Sequence, residues 1–452
     1  MTSLDLNAQP NSISIIGGGL AGCEAAWQAA NRGCPVRLYE MKPEKFSPAH
    51  TSPLLGELVC SNSLRSDDPF SAVGLLKEEM RQLDSLILAA AGETQVPAGK
   101  ALAVDRERFA DSITKRLESH SLISIVREEV LEIPPPAEDT LAPVVLATGP
   151  LTSTPLAASL AALTGSKNLA FYDAIAPIVS AESLDDQIVF RASRYDDGIG
   201  DYLNCPMDKE QYLSFIAALR GAQKVPLKAF EEQKYFEGCL PIEVMLERGE
   251  DTLRFGPMKP VGLPDPRTGR EAYAVVQLRQ ENLEGTSYNM VGFQTKLTYP
   301  EQKRVFSIIP GMKNADFLRL GSIHRNTFVC APAVLDPTLQ VKTRPDLFLA
   351  GQLTGVEGYV ESTAMGLLAG INVSRLLHSQ PPTFPPPETA HGALIEHLTR
   401  TPASRFQPSN INFGLFPVWK KKIPKKLRGQ QRALQARQSL EQWIKKHALI
   451  PV

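Results

Sequence analysis

Residues 12–16, SISII, form a short apolar run that breaks on Gly17, Gly18 and Gly19, continues through Leu20, Ala21 and Gly22 into a helical stretch to about Arg32, and is followed by a second apolar run, PVRLYE. G-x-G-x-x-G set between a strand and a helix restricts the fold more than any other feature, because each glycine answers a separate demand of one geometry. Gly17 permits the tight turn, Gly19 lets backbone approach a pyrophosphate, and Gly22 permits close packing of helix on strand. The N–H groups at the helix start, around Leu20 and Ala21, then face the phosphates. Glu40, 18 positions after Gly22, ends the second strand and is placed to accept from a ribose hydroxyl. Residues 12–40 therefore read as a βαβ unit that holds a dinucleotide.

Two distant segments repeat the pattern. PVVLATGP at 143–150 and PDLFLAGQLTGVEG at 345–358 each run extended into glycine, and the second leads into ESTAMGLLAGINVSRLL, where Ala364, Leu367, Leu368 and Ile371 share one helical face. Strands that end on glycine turns, the first and last feeding helices, predict an α/β fold: a doubly wound parallel sheet, Rossmann-like, assembled from remote parts of the chain. The stretch 185–315, with turn signals such as GLPDPRTG, interrupts it and reads as an inserted α+β domain. The expected organisation is 1–184 and 316–377 for the two parts of the nucleotide domain, 185–315 for the insert, and 378–452 for a proline-rich connector and a basic tail.

Composition excludes several classes. The 452 residues carry 49 acidic and 48 basic side chains, so the chain is no cationic nucleic-acid coat, and 43% hydrophobic residues suffice for a large core. No apolar run approaches the roughly 20 residues of a membrane helix, and no signal-type segment opens the chain. Six cysteines without a CxxC pair suit a reducing compartment and no structural zinc. A soluble, cytoplasmic, metal-free protein is expected; its oligomeric state is not legible. Charge is uneven, since residues 419–447 hold ten of the basic side chains and one acidic one. Lys420, Lys421, Lys422, Lys425, Lys426, Arg428 and Arg432 are candidate contacts to a polyanion's phosphates, beside an amphipathic pattern of Trp419, Leu434, Leu440, Trp443 and Ile444.

Cys60 lies in the polar stretch ELVCSNSLRSDD, where Arg65 would favour a thiolate, and Cys239 lies in the loop FEGCLPIE. Cys23, Cys34, Cys205 and Cys330 read as structural. His324, Arg325, Asn326 and Thr327 make a polar cluster, either a solvated loop or a piece of a site. GETQVPAGKA has the wrong spacing for a P-loop, and Ala101 replaces its hydroxyl residue.

The segment LFLAGQLTGVEGYVES resembles the second nucleotide contact of FAD proteins, and ATG at 147–149 resembles their glycine turn, which adds Gly149, Gly351, Gln352, Gly358 and Tyr359 to the cofactor contacts. IIGGGLAGCEAAW, ELVCSNSLRSD, FEGCLPIEVM, LRFGPMKPVGL, HRNTF and AGQLTGVEGYVES occur in this order, and with them the chain resembles the folate- and FAD-dependent tRNA (uracil-5-)-methyltransferases from residue 12 to about 377. The resemblance implies FAD, a carbon from 5,10-methylenetetrahydrofolate, reduction by NADPH or NADH, and methylation of the T-loop uridine of tRNA, position 54. By that similarity Cys239 is the thiolate that adds to uracil C6 and Cys60 takes the C5 proton, with the reverse order open. Two other readings stand beside it. The FAD- and folate-using wobble-uridine proteins share the fingerprint but are longer at the C-terminus, and a non-catalytic flavin-bearing tRNA-binding protein would not need the two loop cysteines.

Overall fold

The computed structural model describes residues 11–136, 141–165, 169–195, 198–226, 240–419 and 423–450, leaving aside the side chains at 169–172, 325 and 425. β1 (Ile13–Ile16) is buried at every position, as a central parallel strand covered on both faces must be. It pairs in parallel with β2 (Val36–Glu40) on one side and Val144–Leu146 on the other. Ile123–Arg127 extends the sheet beyond β2, and Arg344–Leu349 extends it beyond Val144–Leu146, both in parallel. Gln340–Val341 closes that edge antiparallel. The doubly wound sheet is thus built from segments more than 300 residues apart, and the strands at 144–146 and 344–349 are the two remote runs.

α1 (Leu20–Ala30) follows the glycine turn and crosses the helix Tyr359–Leu377 at very close range. A Cβ on Gly366 would lie 2.2 Å from the Ala21 carbonyl oxygen, and one on Gly370 would lie 2.6 Å from that of Ala25. Those two glycines let the backbones meet, and the meeting brings the 351–362 segment beside the fingerprint. The expected face of Ala364, Leu367, Leu368 and Ile371 is buried, but so is nearly everything from Val360 to Ser374. The reason is that helices Ala72–Gln82 and Ala390–Arg400 cover what α1 leaves.

A second sheet is wholly antiparallel, in the order Phe190–Ala192, Tyr202–Met207, Ala274–Gln280, Ser287–Met290, Ile178–Ser180, Phe317–Arg319. It has its own core, centred on Phe215, Met290, Phe293 and Phe306. The chain enters and leaves it through one antiparallel ribbon, Leu169–Ala174 against Ile323–Phe328. His324 to Thr327 therefore form part of a ladder, with Asn326 and Thr327 buried.

The C-terminal region is integrated rather than appended. Leu394, Ile395 and Leu398 of Ala390–Arg400, and Leu440, Trp443 and Ile444 of Arg428–His447, lie in the same core as β1. The proline segment is pinned as well, since the Trp443 indole N–H donates to the Thr383 hydroxyl at 3.1 Å. Leu434 departs from the expected apolar face: Ala433, Ala436, Leu440 and Trp443 define the buried arc, and Leu434, one position round the helix, is exposed. Among the described residues no helix is long and apolar enough to cross a membrane.

Candidate functional site

A cleft of about 1070 Å³, partly open to solvent, lies at the carboxyl ends of β1, β2 and Val144–Leu146, where open α/β sheets bind ligands. The three fingerprint glycines divide its construction. Gly17 sits at φ +111°, and a Cβ there would lie 2.6 Å from the Ala147 carbonyl oxygen; on Gly22 it would lie 1.8 Å from that of Gly17. Both are demanded by the protein itself. A Cβ on Gly19 meets nothing within 4 Å, so that position is small for the sake of what enters the cleft. Gly19 also N-caps α1 without a side-chain cap, which leaves the first-turn N–H groups to an anion.

Glu40 ends β2 buried, its Oε2 accepting the Gly18 N–H at 2.8 Å and its Oε1 accepting the Lys42 N–H at 2.9 Å. The carboxylate is held at the cleft wall with lone pairs to spare for a ribose. Gly149, at φ +66°, lines the cleft with open space at its α-carbon, and Gly351, Gln352 and Tyr359 line it from the late segment. Gly358 differs from the expectation: it is not on the wall but caps the Tyr359–Leu377 helix at φ +104°, where a Cβ would lie 2.6 Å from the Glu361 carboxylate. Gly18, His50, Glu57, Thr148, Thr152 and Ser362 also line the cleft, and the sequence reading missed them. Gly18, Thr148 and Ser362 stood inside motifs that could have pointed to them; His50, Glu57 and Thr152 did not. A dinucleotide suits this wall, with the gap at Gly19 for its phosphates and Glu40 for its ribose.

Cys60 is half-buried at the end of this cleft. Its N–H donates to the Tyr359 hydroxyl at 2.7 Å, the Ser61 N–H does so at 3.2 Å, and its Sγ lies 3.8 Å from the Ala174 carbonyl oxygen. Arg65, expected beside this thiol, instead pairs with the fully buried Glu361, which also accepts the Ile411 N–H. Three other arginines take its place. Arg106 bonds the Leu58 carbonyl and pairs with Glu281, Nη2 to Oε2 at 2.9 Å. Arg279 donates to Asn62 Oδ1 at 2.9 Å and Ser61 Oγ at 2.7 Å, and Arg319 donates to the Ala49 carbonyl at 3.2 Å. All three interact electrostatically with Cys60.

Glu357 lies behind Gln352, whose amide N–H donates to its Oε2 at 2.7 Å. Burial first, then the Asp173 carboxylate, holds its pKa well above the carboxylate range, with Glu361 and Cys60 adding to the effect. Burial lowers His324, aided by Arg319; its Nε2 is 2.8 Å from Ser322 Oγ.

The remaining cysteines are packing groups. Cys23, Cys34 and Cys205 are buried, and burial pushes the Cys34 thiol up to about 11 and that of Cys205 to about 12. Cys330 is half-buried, 3.8 Å from the Ala403 carbonyl. Cys239, Lys420, Lys421 and Lys422 lie outside the described residues, as does the Lys425 side chain. Lys426 and Arg428 are exposed. Arg432 is not a free cation: it is buried, stacked 4.1 Å over the Trp419 ring and donating to the Pro417 carbonyl, because its planar group satisfies an aromatic face and a backbone acceptor together.

A parallel sheet with a glycine-walled cleft at its carboxyl ends, an acid closing the second strand and a remote strand–helix segment completing the wall defines a dinucleotide-binding α/β protein. The chain belongs to the Glucose inhibited division protein A family, whose model matches residues 12–381. It is 66% identical over 436 residues to the methylenetetrahydrofolate–tRNA-(uracil-5-)-methyltransferase TrmFO of Desulfotalea psychrophila, covering 96% of this chain and 98% of that one. Against the TrmFO of Geobacter sulfurreducens it is 59% identical, over 96% and 99%. Aquifex aeolicus GidA superposes with a TM-score of 0.68 at 16% identity, over 97% of this chain and 74% of that one. At that identity the likeness concerns the fold.

Proposed function

We propose that the chain methylates uracil C5 at position 54, in the T-loop of tRNA, in the cytoplasm, taking the carbon from 5,10-methylenetetrahydrofolate and the electrons from NADPH or NADH through FAD bound in the glycine cleft. The observation that carries this reading is the join between cleft and thiol. Tyr359 lines the cleft, and its hydroxyl accepts the amides of Cys60 and Ser61, which sets the Cys60 sulfur next to the nucleotide wall. The activity of the two TrmFO relatives supplies the substrate class.

Gly17, Gly19, Leu20, Ala21, Gly22, Glu40, Gly149, Gly351, Gln352 and Tyr359 would hold the FAD, which when bound supplies hydride chemistry. The protein's own part is activation of the pyrimidine. Uracil C5 becomes nucleophilic after a thiolate adds at C6, and a second group must then remove the C5 proton. Cys239 and Cys60 share those roles, in the order Cys239 then Cys60 that the family resemblance gives. Charge that develops in this corner faces Arg106, Arg279 and Arg319. Tyr359 fixes the Cys60 backbone, and the ribbon carbonyl of Ala174 keeps water from one side of the sulfur.

The test is direct. Purified protein, unmodified tRNA transcript, methylenetetrahydrofolate and NADPH should yield 5-methyluridine at position 54 alone. Cys239→Ala and Cys60→Ala should each lose methylation with a normal flavin spectrum. With tRNA bearing 5-fluorouridine, a covalent adduct should form in Cys60→Ala and not in Cys239→Ala; the opposite pattern exchanges their roles. A flavin-loaded protein that methylates no position would sink the reading.

A further inference from the structure

Arg279 is the more buried of the two arginines, with Arg319, that pair with no carboxylate among the described residues. It lies on the strand Ala274–Gln280, opposite Asn289 of Ser287–Met290, and the two side chains are 7% and 3% exposed. Arg106, its neighbour, is neutralised by Glu281. Among the described residues Arg279 hydrogen-bonds only neutral acceptors: Asn62 Oδ1, Ser61 Oγ and, at 3.5 Å, Asn289 Oδ1. Because Asn289 turns its oxygen to the guanidinium, its Nδ2 faces the other way, and that buried amide has no hydrogen-bond partner among the described residues.

A buried cation that bonds only neutral groups, while the Glu281 carboxylate that favours its charge is already paired with Arg106, is unfavourable in a closed protein interior, the more so next to an unused donor. The arrangement becomes favourable once an acceptor with negative charge arrives. Its location is set by the residues Arg279 holds, for Ser61 and Asn62 follow Cys60 directly in the chain. The guanidinium and the unpartnered Asn289 amide offer donors, which select an oxygen that gathers electrons.

We propose that Arg279 and Asn289 bind the C4 carbonyl oxygen of the target uracil and stabilise the negative charge formed on it; the inference rests on the function proposed above. When sulfur bonds to C6, the π pair of the C5–C6 double bond moves between C4 and C5, and the C4 carbonyl pair moves onto O4. That oxygen carries the charge until C5 attacks the one-carbon unit and the C4 carbonyl re-forms, and carries it again when C5 loses its proton, whichever cysteine does which. Arg279 and Asn289 thereby act on the step that makes C5 nucleophilic, independently of the flavin.

The holoenzyme with 5-fluorouridine tRNA separates these roles, since adduct formation reads addition at C6 without turnover. Asn289→Asp is the sharper variant: it is nearly isosteric, gives Arg279 a carboxylate of its own, and so should preserve melting temperature and flavin spectrum. Adduct formation should slow about a hundredfold, with flavin reduction by NADPH unchanged. Arg279→Lys, which keeps the charge and loses the planar fork, should show the same pattern. A wild-type adduct rate in a folded Asn289→Asp protein overturns the inference and leaves the proposed function standing. So does an unchanged adduct rate with a raised KM for methylenetetrahydrofolate, which would give the cluster to a folate carboxylate. Should wild-type protein neither methylate tRNA nor form the adduct, the proposed function fails and takes this inference with it.

Discussion

Gly17, Gly19 and Gly22 look alike in the sequence and differ in what their missing side chains protect. A methyl group at Gly22 would strike the Gly17 carbonyl at 1.8 Å, whereas at Gly19 it would reach only empty cleft. Gly19→Val should therefore fold, since its backbone at φ −77° accepts any residue, yet lose the yellow flavin, because the branched side chain fills the space needed by pyrophosphate. Equal flavin content in wild type and variant, measured by absorbance after gel filtration, would remove the cleft assignment. These glycines and Glu40 were legible because each performs a task only its residue type can do. Arg279 was not, since its partner Asn62 is 217 positions away and nothing local distinguishes it from a surface arginine. Arg65 shows the converse error: proximity to Cys60 in sequence suggested a partner, but a backbone at φ +62° and the buried Glu361 turned the side chain elsewhere.

At the scale of elements, apolar runs predicted the parallel strands at 13–16, 36–40, 144–146 and 344–349, while the antiparallel sheet was read only as mixed strand and turn signals and helix burial was underestimated. α1 is buried almost throughout, including Glu24, whose Oε2 accepts Ser85 Oγ at 2.7 Å and the Ile87 N–H at 3.1 Å, while its Oε1 accepts from Gln28. One carboxyl group thus ties α1 to the start of the helix Leu86–Glu93. Burial pushes its pKa up to about 7 against those hydrogen bonds, from a usual value near 4.5. The protonated form is therefore favoured by folding: its stabilisation is complete below about 4.5, declines as pH rises, and is lost above about 7. Between pH 5 and 8 wild type should lose about 3 kcal/mol at this site. Glu24→Gln, which cannot ionise, should lack that part of the pH dependence, so its melting temperature relative to wild type should rise from pH 5 to pH 8. A parallel pH profile for the two proteins would show that Glu24 stays ionised in the fold.

The whole molecule places its charge at one end of the chain without giving that end a fold of its own. Arg428–His447 contributes Leu440, Trp443 and Ile444 to the nucleotide domain's core, and Arg437 is tied to Glu78 on the body at 2.6 Å. Arg432 is occupied by Trp419, so among the described residues of this segment the exposed cations are Lys426, Arg428, Lys445 and Lys446, and the sequence adds lysines at 420, 421, 422 and 425. Truncation would damage the core, and only neutralisation tests the surface. The rest of the chain is net acidic and repels a polyanion at long range unless a local cationic surface offsets that field. Phosphate contacts add affinity and salt dependence without base choice. Changing Lys420, Lys421, Lys422, Lys425 and Lys426 together to Gln should therefore weaken tRNA binding and flatten the slope of log affinity against log salt by roughly 0.9 for each phosphate no longer neutralised. Flavin content, reduction by NADPH and the position of the methylated uridine should stay as in wild type, because among the described residues neither the cleft nor the Cys60 corner includes one from this segment. Unchanged affinity and slope in a variant with a normal flavin spectrum would assign tRNA binding to the antiparallel sheet instead, the part of the fold that already supplies Arg279 to the Cys60 corner.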